Sequence, residues 1–140
     1  MAATENKAVC EQNSRQIAQP VLQGTSAVKI YQGSLVDIKS GGVTPATSKG
    51  SIFGGIAVEY AEVEAGSAET VSNVRVMLRK EGTWEVNAQA LTSADLGKEV
   101  EIVDNDTVKV VGETAGHKCG VIREVISATK AMVCIDGYAK

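Results

Sequence analysis

Aromatic side chains are scarce: one Trp, one Phe and three Tyr in 140 residues. Ligand pockets are ordinarily lined by apolar and aromatic groups around a few convergent polar ones, so a soluble ligand-binding barrel is hard to furnish from this set. Histidine occurs once, at position 117, so no second imidazole exists to complete a usual zinc set. Lying in a Gly-rich polar loop, His117 is expected to be exposed. The cysteines are three, Cys10, Cys119 and Cys134. An odd number without a close pair argues against a disulfide framework or a zinc knuckle, and Cys119 and Cys134 read as small half-buried hydrophobes in a reducing compartment. Basic charge is in deficit, 14 Lys and Arg against 17 Asp and Glu for a net charge of −3. Surfaces that track phosphates carry the opposite balance, so no nucleic acid is expected as a partner. No apolar run approaches the ~20 residues that span a bilayer, so no membrane is expected either. The N-terminus lacks a basic region followed by an apolar one, and the expectation is synthesis and retention in a cytosol.

What the chain does have is branched hydrophobes. There are 19 Val and 9 Ile against 5 Leu, and side chains stiff at χ1 suit a pleated surface better than a helix. With 14 Gly to supply turns, the composition predicts an all-β domain. Residues 1–23 are polar and poorly patterned and read as an N-terminal arm, extended or disordered until bound. Residues 24–140 read as a single β domain. Val28–Tyr31 and Leu35–Ile38 flank a Gln32-Gly33 turn and suggest a hairpin. Residues 52–65 alternate with period two, and residues 71–88 read as a second hairpin turning at Glu81-Gly82. Thr92-Ser93-Ala94-Asp95 fits a capping box ahead of Gly97, a single helical turn near 92–97. Strands at Glu99–Val103, Thr107–Val111, Cys119–Ile126 and Ala131–Ile135 follow. Short strands at this spacing point to a sandwich or small barrel. No crossover helix is available for a parallel sheet, and no internal repeat is visible.

Chemistry is harder to find. Asp104-Asn105-Asp106 departs from the calcium loop pattern and reads as a turn. Gly41-Gly42 and Gly54-Gly55 lack the spacing and following helix of a phosphate loop, and Gly54-Gly55 reads as a bulge or a close backbone approach. The carboxylate pairs Glu62/Glu64 and Glu99/Glu101 each share a strand face and read as solvated edges. No catalytic residue, cofactor site or metal site emerges, so the chain is not expected to be an enzyme. Trp84 suits a core or an interface anchor.

Several of these segments, taken in order, resemble the small capsid cement or head-decoration proteins of tailed bacteriophages. The resemblance runs through Ile30–Val36, Val43–Thr47, Phe53–Glu59 and Val74–Val76. Its most specific part is Leu91-Thr92-Ser93-Ala94-Asp95-Leu96-Gly97-Lys98 followed by Val103–Val108, and it closes with Gly120–Ile122 and Val133–Asp136. It covers about residues 28–136. It implies a β-barrel-like or β-tulip-like body of short antiparallel strands. It also implies a virion structural role on the outer face of the expanded head, at joints between major capsid proteins. The subunit would be made in the host bacterial cytoplasm, with the major capsid protein as partner and a homotrimer at local threefold axes as one arrangement. Ile17, Val21 and Leu22 in the arm, with Trp84, are then the capsid-contact candidates. The alternatives are another virion β module, of the tail or head-joining kind, and a soluble ligand-binding barrel.

Overall fold

The computed structural model describes residues 16–140, and these are nearly all strand. The strands are β1 (Gln16–Leu22), β2 (Val28–Ile30), β3 (Leu35–Lys39), β4 (Gly42–Pro45), β5 (Phe53–Ala57), β6 (Ala61–Val63), β7 (Val71–Arg79), β8 (Thr83–Ala88), β9 (Glu99–Ile102), β10 (Thr107–Val110), β11 (Lys118–Ser127) and β12 (Lys130–Cys134), with a 3-10 turn at Ser93–Asp95. The all-β expectation holds, in the form of two closed five-stranded barrels. Barrel one has the ring order β1-β4-β3-β5-β7 and barrel two the order β8-β10-β9-β11-β12. A separate ribbon pairs β2 with β6.

The two rings have the same topology. In each, the first strand runs parallel to the third (β1 with β4, β8 with β10), and every other neighbouring pair is antiparallel. The match extends to individual residues. Gly33 and Gly97 both take positive φ, +85° and +84°. Their N–H groups donate to Ala57 O and Ile122 O at 2.7 and 2.9 Å, and those two residues donate back to Ser34 O and Lys98 O, each at 3.0 Å. Ile38 N donates to Ile52 O, and Ile102 N to His117 O. Val36 lies opposite Gly55, and Val100 opposite Gly120, each beside a register shift. An added Cβ at Gly55 or Gly120 would sit 2.4 or 2.5 Å from a carbonyl oxygen of the last strand, so both strands need glycine there. The chain is therefore a structural duplication of one barrel topology. In the sequence the repeat survives only in short stretches such as Gly33-x-x-Val36-x-Ile38 against Gly97-x-x-Val100-x-Ile102, because the offset changes along the chain. Val21 matches Ala88, Val43 matches Val108 and Leu78 matches Val133.

Three further expectations are corrected. Residues 16–22 of the proposed arm are a wall of barrel one, because Ile17, Ala18 and Gln19 complete the β7 ladder and Val21 pairs with Val43. Residues 1–15 lie outside the described residues. The expected hairpins at 28–38 and 71–88 do not form. β2 pairs with β6 instead of β3, and β7 and β8 belong to different barrels, so Glu81-Gly82 is the link between them. Parallel pairing does occur without a crossover helix, since in each barrel the second strand lies between the first and third in sequence and returns the chain to the same direction.

Two cores follow. Val21, Ile30, Val36, Val43, Val76 and Leu78 fill barrel one together with Ala57, Ala61 and Val63. The second cluster combines barrel two residues such as Val100, Ile102, Val108, Ile122 and Val133 with Leu35, Ala46, Phe53 and Ile56 from barrel one. β3 thus sends Val36 inward and Leu35 to its neighbour, the period of two serving both cores. Each fully buried side chain of this kind contributes about 1.5–3 kcal/mol, and the seam has three large ones.

Candidate functional site

The seam also contains a buried polar pair. His117, just ahead of β11, places Nε2 2.7 Å from Asp37 Oδ1 on β3, with side chains 4% and 5% exposed. The other Asp37 oxygen accepts the N–H of Thr47 at 3.2 Å. Gly50 lets the 46–52 loop close over the pair, since a Cβ there would lie 2.0 Å from Asp37 Oδ2. The expectation of an exposed His117 is overturned. Residues 112–116 of its loop are exposed as expected, but the imidazole itself turns inward onto Asp37 of the other barrel, which no local pattern reveals. The pair ties β3 of barrel one to the start of β11 in barrel two and acts there as a clamp between the barrels. Glu101, equivalent to Asp37, is buried too and accepts Gly116 N–H at 2.6 Å while Lys109 lies 3.5 Å away. Burial, and then the Asp37 carboxylate, pushes the Cys119 thiol pKa up to about 12. Cys119 and Cys134 are both free.

The sequence-proposed contact residues are distributed differently from the expectation. Val21 and Leu22 are 0% and 4% exposed and belong to the interior. Ile17 and Trp84 occupy the same position in the two barrels, opposite Leu78 and Val133, and both are half-buried. Trp84 donates Nε1–H to Glu81 O at 3.1 Å, and the Arg79 guanidinium stands 5.9 Å from its ring. The structure does not bring Ile17, Val21, Leu22 and Trp84 together as one exposed patch. Asp104-Asn105-Asp106 is the turn expected of it, with Asp104 Oδ1 accepting Asp106 N–H at 2.9 Å. Among the described residues, no group of three or more His, Cys, Asp or Glu is placed to hold a metal ion.

The surface offers a different feature. Tyr31 and Tyr60 are 54% and 50% exposed, and their rings touch with centroids 5.4 Å apart and planes tilted by 51°. Ile30 faces Ala61 in the β2–β6 ribbon, which sets the two tyrosines at the same end. Tyr60 donates its hydroxyl to Glu62 Oε2 at 3.0 Å. Desolvation, and then the Glu62 carboxylate, raises the Tyr60 phenol above its usual range. Beside Tyr31 a recess of about 360 Å³ is lined by Gln32, Gly33, Ser34, Asn105 and Asp106. Leu35 N–H donates to Asn105 O at 2.8 Å, so the 104–106 turn of barrel two docks onto barrel one at this point. Sequence reading missed the pair because residues 52–65 look like one alternating strand with Tyr60 on its apolar face. The strand ends at Ala57, and the chain bends before β6.

No known protein family, no curated protein and no solved structure matches the chain.

Proposed function

We propose that this protein is a capsid cement subunit of a tailed bacteriophage, bound outside the expanded head across joints between major capsid proteins. The observation that carries the reading is where the resembling segments fall. Thr92, Asp95 and Gly97 form one tight turn in which Asp95 accepts Thr92 N–H at 2.8 Å, and Glu99–Ile102 and Thr107–Val110 follow as β9 and β10. Ile30–Val36, Val43–Thr47 and Phe53–Glu59 supply the matching framework of barrel one. The resemblance therefore rests on the parts that build both barrels, and its order along the chain is the order of the duplicated module. A rigid body of two fused barrels suits a load-bearing wedge, since the seam is apolar and clamped at Asp37–His117.

The energetics of the role are simple. A subunit that binds only the assembled lattice stabilises it by RT ln(1 + [L]/Kd), about 2.7 kcal/mol per site at a hundredfold excess over Kd. Repeated at many joints, this raises the barrier to rupture under packaged DNA. An acidic subunit has no electrostatic attraction to the genome inside. The test is to add the protein to DNA-filled heads that lack it and to follow dye access to the DNA on heating. The expected result is release at a higher temperature, saturating with added protein. Release at an unchanged temperature would refute the stabilising role.

A further inference from the structure

The duplication provides an internal control for what a barrel of this kind needs. Barrel two closes without a ribbon, its fourth and fifth strands joining directly through Ala128-Thr129 and its first connection carrying only the 3-10 turn. Barrel one has the β2–β6 ribbon at the matching places. Covering its core requires Ile30, Ala61 and Val63, which are buried. It does not require Tyr31 and Tyr60, whose rings are half in solvent. Exposed tyrosines in mutual contact are the composition of an interface anchor rather than of a cap.

Around the rings acidic groups predominate over the one ribbon lysine, Lys29. Glu62 stands at Tyr60, while Asp104 and Asp106 belong to the turn that borders the recess. Lys29 faces Glu62 across the ribbon, yet among the described residues no Lys or Arg lies within ion-pair distance of Glu62, Asp104 or Asp106. Asp106 is held by Asn87 Nδ2 at 3.0 Å, which orients its carboxylate without neutralising it. Tilted aromatic faces attract a guanidinium through their quadrupole, and carboxylates on either side accept its forked N–H donors. We propose that this aromatic notch is the contact through which the subunit takes an arginine-bearing loop of the shell protein, an inference that rests on the cement reading above.

The experiment measures binding isotherms on expanded heads lacking the subunit, at low and high salt. It compares the wild-type chain, Tyr31→Ser/Tyr60→Ser and Glu62→Gln/Asp106→Asn, with thermal unfolding of each variant as a check on folding. The serine pair is expected to weaken binding about tenfold or more at unchanged stability. The neutralised pair is expected to weaken it several-fold and to lose most of the salt dependence. If both variants bind like wild type while wild type binds well, the notch is overturned and the cement reading stands. Loss with the serine pair but full, salt-sensitive binding by the neutralised pair would overturn the arginine, leaving an uncharged shell contact at the tyrosines and placing the salt-sensitive charges elsewhere. If wild type itself does not bind, the cement reading and the notch fall together.

Discussion

Barrel one and barrel two share a topology, two glycines at matching close approaches and a buried carboxylate at the same place, yet their outer faces differ. On barrel one the outward positions of the second and fourth strands are Leu35, Phe53 and Ile56, all buried against the neighbour. Register places Glu99, Lys118 and Val121 at the corresponding positions of barrel two. There Lys118 pairs with Glu99 at 3.2 Å, and the Tyr138 hydroxyl donates to the same carboxylate at 2.7 Å. Those bonds, with Tyr138 first and Lys118 second, lower the Glu99 pKa, and the Tyr138 phenol is pushed up to about 12. An apolar face propagates a tandem array and a polar face ends it. The matching face of barrel two is thus a polar one, and the difference between the barrels lies in what each one has beside it.

The largest expected effect tests that difference directly. Phe53→Ala should cost about 3–5 kcal/mol by opening the seam, whereas Lys118→Ala at the matching position should change stability by well under about 1 kcal/mol. Urea unfolding followed by Trp84 fluorescence measures both, and equal losses would break the comparison. Next come the glycines, where the barrels should agree. Gly55→Ala and Gly120→Ala each force a methyl group against a backbone carbonyl, for about 2–4 kcal/mol apiece. Tolerance at one site would mean that the two bulges are not equivalent.

The buried carboxylates should separate the barrels again. Asp37→Asn disturbs a partner that is itself buried, and should cost about 1–3 kcal/mol. Glu101→Gln, with the half-exposed Lys109 beside it, should cost about 1 kcal/mol or less. A double-mutant cycle of Asp37→Asn with a His117 substitution would show a coupling if the pair acts as one clamp.

The smallest effect is in acid. Asp95 is held below the usual carboxylate range, first by Thr92 N–H and then by Lys98. A depressed folded pKa contributes stability that is fully present above the unfolded value and lost as pH falls through the folded one. Hydrogen exchange should therefore show the 92–98 turn of barrel two losing protection at acid pH before the Gly33 turn of barrel one. Asp95→Asn should flatten that dependence.

The same contrast explains what could be read from the chain. Barrel two is built largely from neighbours in sequence, β9 with β10 and β11 with β12, so alternation and turn residues predict its strands to within a residue or two. Barrel one is closed by β1 against β7 and β4, pairings that reach across most of the first half of the chain. Its first strand carries Gln16, Gln19 and Pro20, which read as an arm until the partner strands are known. Local patterns also cannot show that His117 meets Asp37, since the two belong to different barrels. The tyrosine notch is likewise formed by tertiary contact, between the ribbon ends and a turn of barrel two.

The most direct test of the proposed role is a count. Purified protein would be co-sedimented with expanded heads that lack it, and the bound protein measured against the major capsid protein by densitometry. A cement subunit saturates at a copy number commensurate with the shell lattice, and that is the result predicted here. No binding, or saturation at a handful of copies per particle, would contradict the account and point to a tail or head-joining module.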